Sequence, residues 1–115
     1  MYFNMYLYMD KRISLCYSSL VGFGESSFLW DPEKERANLE KHGIDFITAS
    51  QVFKDPQRKI FMDAKHSRAE ERYFCIGKLE ERILTVRFTY RGGKIRILGA
   101  GYWRKGKAYY EEKEN

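Results

Sequence analysis

"RILTVRFTYRGGKIRILGA", residues 82–100, holds two runs of alternating apolar and polar residues on either side of Gly92-Gly93. Alternation with period two marks a strand, and a glycine pair supplies the two positive-φ positions that a tight hairpin requires. A two-residue turn sets Arg91 opposite Lys94, Tyr90 opposite Ile95, Thr89 opposite Arg96 and Phe88 opposite Ile97. Leu84, Val86, Phe88 and Tyr90 then share a face with Ile95 and Ile97, while Arg87, Thr89, Arg91, Lys94 and Arg96 share the other. One face packs and the other is cationic. Like charges on neighbouring strands cost roughly 0.2–1 kcal/mol per pair, so the cationic face is either a solvated outer surface or one that an anion completes.

Working outward, "RKIFMD" (58–63) and "RYFCIGKL" (72–79) read as further strands, separated by the polar loop "AKHSRAEE". The turn at Glu80-Glu81 leaves the register of the earlier hairpin open, so Tyr73 and Phe74 are assigned to neither face. Upstream, the period becomes helical. In "SFLWDPEKERANLEKHG" (27–43), Phe28 and Trp30 alternate as in a short strand and Asp31-Pro32 opens a helix expected over Pro32–His42. Asp31 accepts from first-turn N–H groups, and proline has no N–H to leave unpaired. Glu33 and Glu35 suit the positive end of the dipole, Lys41 and His42 the negative end, and Gly43 the left-handed position past it. Asp45 caps a second helix in which Phe46, Ala49, Ser50 and Phe53 recur at helical spacing, until Asp55-Pro56 ends it. "GYWRKGKAYYEEKEN" predicts a last helix from about Trp103 to Glu114, with Gly106 weakening it.

At 115 residues the chain is one domain, and 43% hydrophobic with 17% aromatic content is ample for a core. Residues 1–26, rich in Tyr, Met, Phe and Ser, form a separate compositional zone that is read as an N-terminal extension to a domain over 27–115. Lys11-Arg12 before "ISLCYSSLVGFG" lacks the cleavage pattern of a signal peptide. No window approaches the roughly 18 apolar residues of a membrane span. Cys16 and Cys75 lack C-x-x-C spacing and read as free thiols of a cytoplasmic protein.

The net charge is +5, and its distribution is uneven. From Arg82 to Tyr110 there is no Asp or Glu, while eight of the 21 basic residues fall there, leaving 13 against 16 acidic ones elsewhere. Such a segment is the footprint of a polyanionic partner such as nucleic acid.

If the polyanion is RNA and is cleaved, as the chain's resemblance to a ribonuclease toxin family implies, the 2′-hydroxyl needs a base, the leaving 5′ oxygen an acid and the phosphorane cations. Arg87 and Arg96 are the best phosphate stabilisers, since a guanidinium offers paired donors at fixed charge. His66, in the polar loop, suits acid or base work, as a solvated loop histidine also would; Lys105 and Tyr109 are further proton-transfer candidates. Arg72, Arg91, Lys94, Arg104 and Lys107 extend the cationic set, and Trp103 offers a ring for a base or for the core. Lys41 and His42 are secondary candidates, with helix capping explaining His42 adequately. No metal cage is visible, and no cofactor is expected.

The segments "FLWDPEKERANLEKHGIDFITASQVFKDP", "HSRAEERYFCIGKL", "ILTVRFTYRGGKIRILGA" and "YWRKGKAYYEEK" resemble, in this order, the BrnT family of type II toxin–antitoxin toxins. Most specific are the W-D-x-x-K-x-x-x-N-x-x-K-H-G helix and the E-R-x-x-x-I-G strand. The resemblance implies an α+β fold of the RelE type, with two N-terminal helices and a C-terminal helix on an antiparallel sheet of about four strands. It also implies a metal-independent endoribonuclease that arrests growth. Its partner would be a BrnA-like ribbon-helix-helix antitoxin, in a heterotetramer of two toxins and two antitoxins that meets operator DNA only through the antitoxin. A non-catalytic nucleic-acid-binding module, or a degenerate toxin that only binds its antitoxin, are the alternatives. Where many relatives carry "ISAR" after the last strand, this chain has Leu98-Gly99-Ala100-Gly101, so no role of that Ser and Arg carries over.

Overall fold

The computed structural model describes residues 27–112, so the N-terminal extension and Cys16 lie outside the described residues. The elements are β1 (Phe28–Trp30), α1 (Pro32–His42), α2 (Phe46–Ser50) continued by a 3-10 turn (Gln51–Lys54), β2 (Lys59–Met62), β3 (Tyr73–Leu79), β4 (Arg82–Arg91), β5 (Lys94–Gly101) and α3 (Arg104–Glu111). The strands form one sheet in the order β1-β5-β4-β3-β2.

The α+β expectation holds, with two corrections. The sheet has five strands and is mixed, because β1 adds to the outer edge of β5 in parallel, with Phe28 beside Ile95 and Trp30 beside Ile97. A three-residue strand offers few backbone bonds, and Asn38 supplements them. From α1 its side chain accepts from the Ala100 amide at 3.0 Å and donates to the Ile44 carbonyl at 3.0 Å, tying helix, loop and β5 together. The last helix is also shorter than expected: Trp103 is its N-cap, and Glu112 already has extended backbone.

Local chemistry accounts for the first two helices. Asp31 accepts from the Glu33 amide and Asp45 from the Thr48 amide, while Gly43 closes α1 at φ 71°. The hairpin register is the expected one from Phe88↔Ile97 to Arg91↔Lys94, with Gly92 and Gly93 at φ 59° and 79°. Beyond it, Leu98 is an extra residue in β5, so that Arg87 faces Gly99 and Val86 faces Ala100. This bulge returns Ala100 to the buried face.

The sheet separates two apolar layers. On one face α1 and α2 cover Tyr73, Leu84, Val86, Phe88, Ile95 and Ile97, with the Phe53 and Phe88 rings 5.1 Å apart. On the other, Phe61, Ile76 and Ile83 pack with Phe74, Tyr109 and Tyr110 under α3. The open register of β3 is thereby resolved: Tyr73 belongs to the first layer and Phe74 to the second. Gly106, which the sequence marks as a weak point of α3, is the point of closest approach. A Cβ there would stand 2.0 Å from Thr85 Oγ1 and 3.3 Å from Thr85 Cβ. The far end of α3 is anchored by Lys59 Nζ, which donates to the Tyr109 and Glu112 carbonyls at 2.7 Å each, and by the Tyr110 hydroxyl, which donates to Asp55 at 2.6 Å.

Candidate functional site

The odd positions of β4 run along the face that carries α3. Ile83 and Thr85 are buried beneath the helix, Arg87 is half-buried, Thr89 is buried again and Arg91 is exposed. What covers Thr89 is the loop between β2 and β3, since the Thr89 hydroxyl donates to the Glu71 carbonyl at 2.6 Å. Arg87 therefore forms the floor of a trough with α3 over Thr85 on one side and loop 63–72 over Thr89 on the other. At about 3.3 Å per strand residue, the backbones of the two covered positions stand roughly 13 Å apart.

The Arg87 side chain lies flat across β5. An added Cβ on Gly99, its register partner, would meet Arg87 Nη2 at 2.6 Å. Arg96, opposite Thr89, presents its side chain to the same face. Among the described residues neither arginine has an ion pair with a carboxylate, and the same is true of Lys94, Arg104 and Lys105. The other cations are partly neutralised: Arg72 and Arg91 share Glu70 at 3.5 and 3.3 Å, and Lys107 reaches Glu111 at 3.7 Å. Of the candidate cations, those without an ion pair among the described residues thus lie on the sheet face around Arg87 and at the exposed start of α3.

Both walls carry proton-transfer candidates. In loop 63–72, His66 Nδ1 lies 2.9 Å from Oδ2 of Asp63, and the two side chains are 56% and 7% exposed. On α3, Lys105 is exposed, and the Tyr109 ring packs at a tilt against Phe61, centroids 5.1 Å apart. Burial, then the charge of Glu112, raises the Tyr109 phenol above its ordinary value, keeping it protonated at neutral pH.

Trp103 and His42 meet, ring centroids 5.4 Å apart, where α1 ends and α3 begins. The Trp103 ring lies over Gly101, where a Cβ would come within 2.8 Å of it. His42 thus sits at the start of α3, and both it and Lys41 are exposed. The space over Gly99 is thus taken by Arg87 and that over Gly101 by Trp103.

Sequence reading missed Asp63, Thr89 and Gly99 as parts of the site. The Asp63-x-x-His66 spacing was available as a turn signal, whereas the closure over Thr89 joins segments 18 residues apart and leaves no local trace. Among the described residues no three His, Cys, Asp or Glu side chains cluster to hold a metal ion, and no helix is long and apolar enough to cross a membrane.

Residues 30–106 match the family described as ribonuclease toxin, BrnT, of type II toxin-antitoxin system. No curated protein matches the chain.

Proposed function

The chain belongs to the BrnT family of ribonuclease toxins of type II toxin–antitoxin systems, and on that premise we propose that it cleaves RNA in the trough over Arg87, without a metal ion. The observation that carries this reading is a guanidinium with no carboxylate partner among the described residues, half-buried between two walls that both bear proton-transfer groups. An arginine so placed lacks a counter-ion, and a phosphate supplies one with paired donors matched to its oxygens.

In this mechanism the 2′-hydroxyl attacks the adjacent phosphorus, and Arg87 and Arg96 take up the charge that develops on the phosphorane oxygens. Arg91, Lys94, Arg72, Arg104 and Lys107 steer the flanking backbone, and Trp103 offers a ring face to a neighbouring base. The antitoxin is a ribbon-helix-helix protein that occludes this face in a cytoplasmic assembly of two toxins and two antitoxins, and the toxin arrests growth when the antitoxin is lost.

Expression of the full chain should arrest growth and degrade RNA, with relief by Arg87→Ala/Arg96→Ala and by the antitoxin. Purified protein should retain cleavage in EDTA. Gly99 and Gly101, standing where many relatives carry Ser and Arg, favour a second reading as a degenerate toxin. That protein would bind its antitoxin and leave RNA intact.

A further inference from the structure

His66 has a partner that fixes its chemistry. Asp63 is buried, and Oδ2 of its carboxylate meets Nδ1 of His66 at 2.9 Å. A carboxylate only accepts, so the neutral imidazole must carry its proton on Nδ1 and present a lone pair at Nε2. The His66 side chain is more than half exposed.

The turn is built to hold this arrangement. The Asp63 amide donates to the Arg72 carbonyl at 2.7 Å, closing the loop at its base, and the His66 amide donates to the Asp63 carbonyl at 3.2 Å. The Ser67 hydroxyl donates to the Asp63 carbonyl at 2.6 Å and accepts from the Arg72 amide at 2.9 Å. The loop is docked on the cationic face by the Thr89–Glu71 bond and by the Glu70–Arg91 pair. Thr89 is the register partner of Arg96, so the loop comes down beside one of the two unneutralised arginines.

Building on the ribonuclease reading, we propose that His66 is the general base of RNA cleavage and Asp63 its positioning residue. Nε2 takes the proton of the 2′-hydroxyl as the 2′ oxygen bonds to phosphorus. The bond from phosphorus to the 5′ oxygen breaks, and that oxygen leaves with a proton from the opposite wall, where α3 holds Lys105 and Tyr109. The products are a 2′,3′-cyclic phosphate and a 5′-hydroxyl, and the imidazolium returns its proton to solvent. This assignment uses a residue on each wall, and it gives the buried Asp63 carboxylate a task that the fold alone does not require.

The test uses the purified full chain, a fluorescein-labelled single-stranded RNA as substrate and its 2′-O-methyl counterpart as an uncleavable binding probe. His66→Gln, at an exposed position, should keep the circular dichroism spectrum and the affinity for the 2′-O-methyl RNA, while cleavage falls by at least about 100-fold. Asp63→Asn should lower cleavage at least about tenfold, again without loss of binding. Imidazole added to His66→Ala should restore part of the lost rate, which no structural role would allow. Wild-type cleavage matched within threefold by His66→Gln, or a His66→Ala variant that imidazole fails to reactivate, overturns the base assignment and leaves the ribonuclease reading standing. A folded wild-type protein that leaves the RNA intact overturns both.

Discussion

Gly99→Ala should separate activity from stability in opposite directions. An alanine Cβ would stand 2.6 Å from Arg87 Nη2, about 1 Å inside ordinary contact distance, with Cζ and Nε next at 3.3 and 3.4 Å. All three atoms belong to the end of a flexible side chain, so Arg87 yields and the backbone does not. A glycine inside a strand is about 0.5–1 kcal/mol less favourable than alanine. Melting temperature should therefore hold or rise. The guanidinium, however, must lift or swing by about 1 Å, and a misplacement of that size can cost up to about 100-fold in rate. The assay is cleavage of a fluorescent single-stranded RNA beside a thermal melt, for Gly99→Ala, Arg87→Ala and the double variant. If Arg87 works from its place on Gly99, the alanine should lower cleavage strongly in the wild-type background and change nothing once Arg87 is gone. Unchanged cleavage by Gly99→Ala, or an equal loss in the Arg87→Ala background, would refute the argument.

Gly106→Ala should destabilise by about 1–3 kcal/mol, since the overlap with Thr85 exceeds what the roughly 1 kcal/mol gain in helix propensity offsets. In a Thr85→Ala background, where the buried Oγ1 has no hydrogen-bond partner among the described residues to lose, that cost should largely vanish in chemical denaturation. Burial alone would push the Asp55 carboxyl up, but bonds from the Tyr110 hydroxyl and the Lys78 and Gln57 amides, with the charge of Arg58, hold it below its ordinary value. The stabilisation it lends is therefore complete above the ordinary carboxylate range and lost as pH falls through the depressed value. Melts of wild type and Asp55→Asn should differ by a constant amount above about pH 5 and converge as the pH falls through the depressed value. Tyr110, pushed up to about 12 by burial and by its bond to Asp55, contributes no titration in that window. The buried Cys75 thiol, driven up by its desolvation, should resist iodoacetamide at neutral pH until denaturant unfolds the sheet.

The parts of this fold that were legible in the sequence are those fixed over a few residues. Asp31-Pro32 and His42-Gly43 bracket α1 because capping chemistry is local, and Gly92-Gly93 fixes four residue pairs because a two-residue turn leaves no freedom of register. The cationic face followed from that register by parity alone. What escaped involves approaches between distant segments. Phe28–Trp30 reads as a strand, yet nothing within it says that its partner is β5, nearly 70 residues on, or that the pairing is parallel. Gly106 costs helix propensity locally, and only the presence of Thr85 beneath it turns that cost into a requirement.

The same distinction governs the site. Arginines at alternate positions of a hairpin identify an anion-binding face, but a face has no depth, and depth makes the difference between holding RNA and cleaving it. Depth here comes from two closures over one strand, α3 on Thr85 and loop 63–72 on Thr89, each made by a residue whose own polarity suggests an outward position. The two threonines are buried because other segments cover them. Arg87, between them, is the one position on that stretch of β4 left half open, and it lies flat because Gly99 has no side chain to lift it. On the proposed reading, the place of the guanidinium that would meet a phosphate therefore depends on a glycine that composition and motif both treat as an absence.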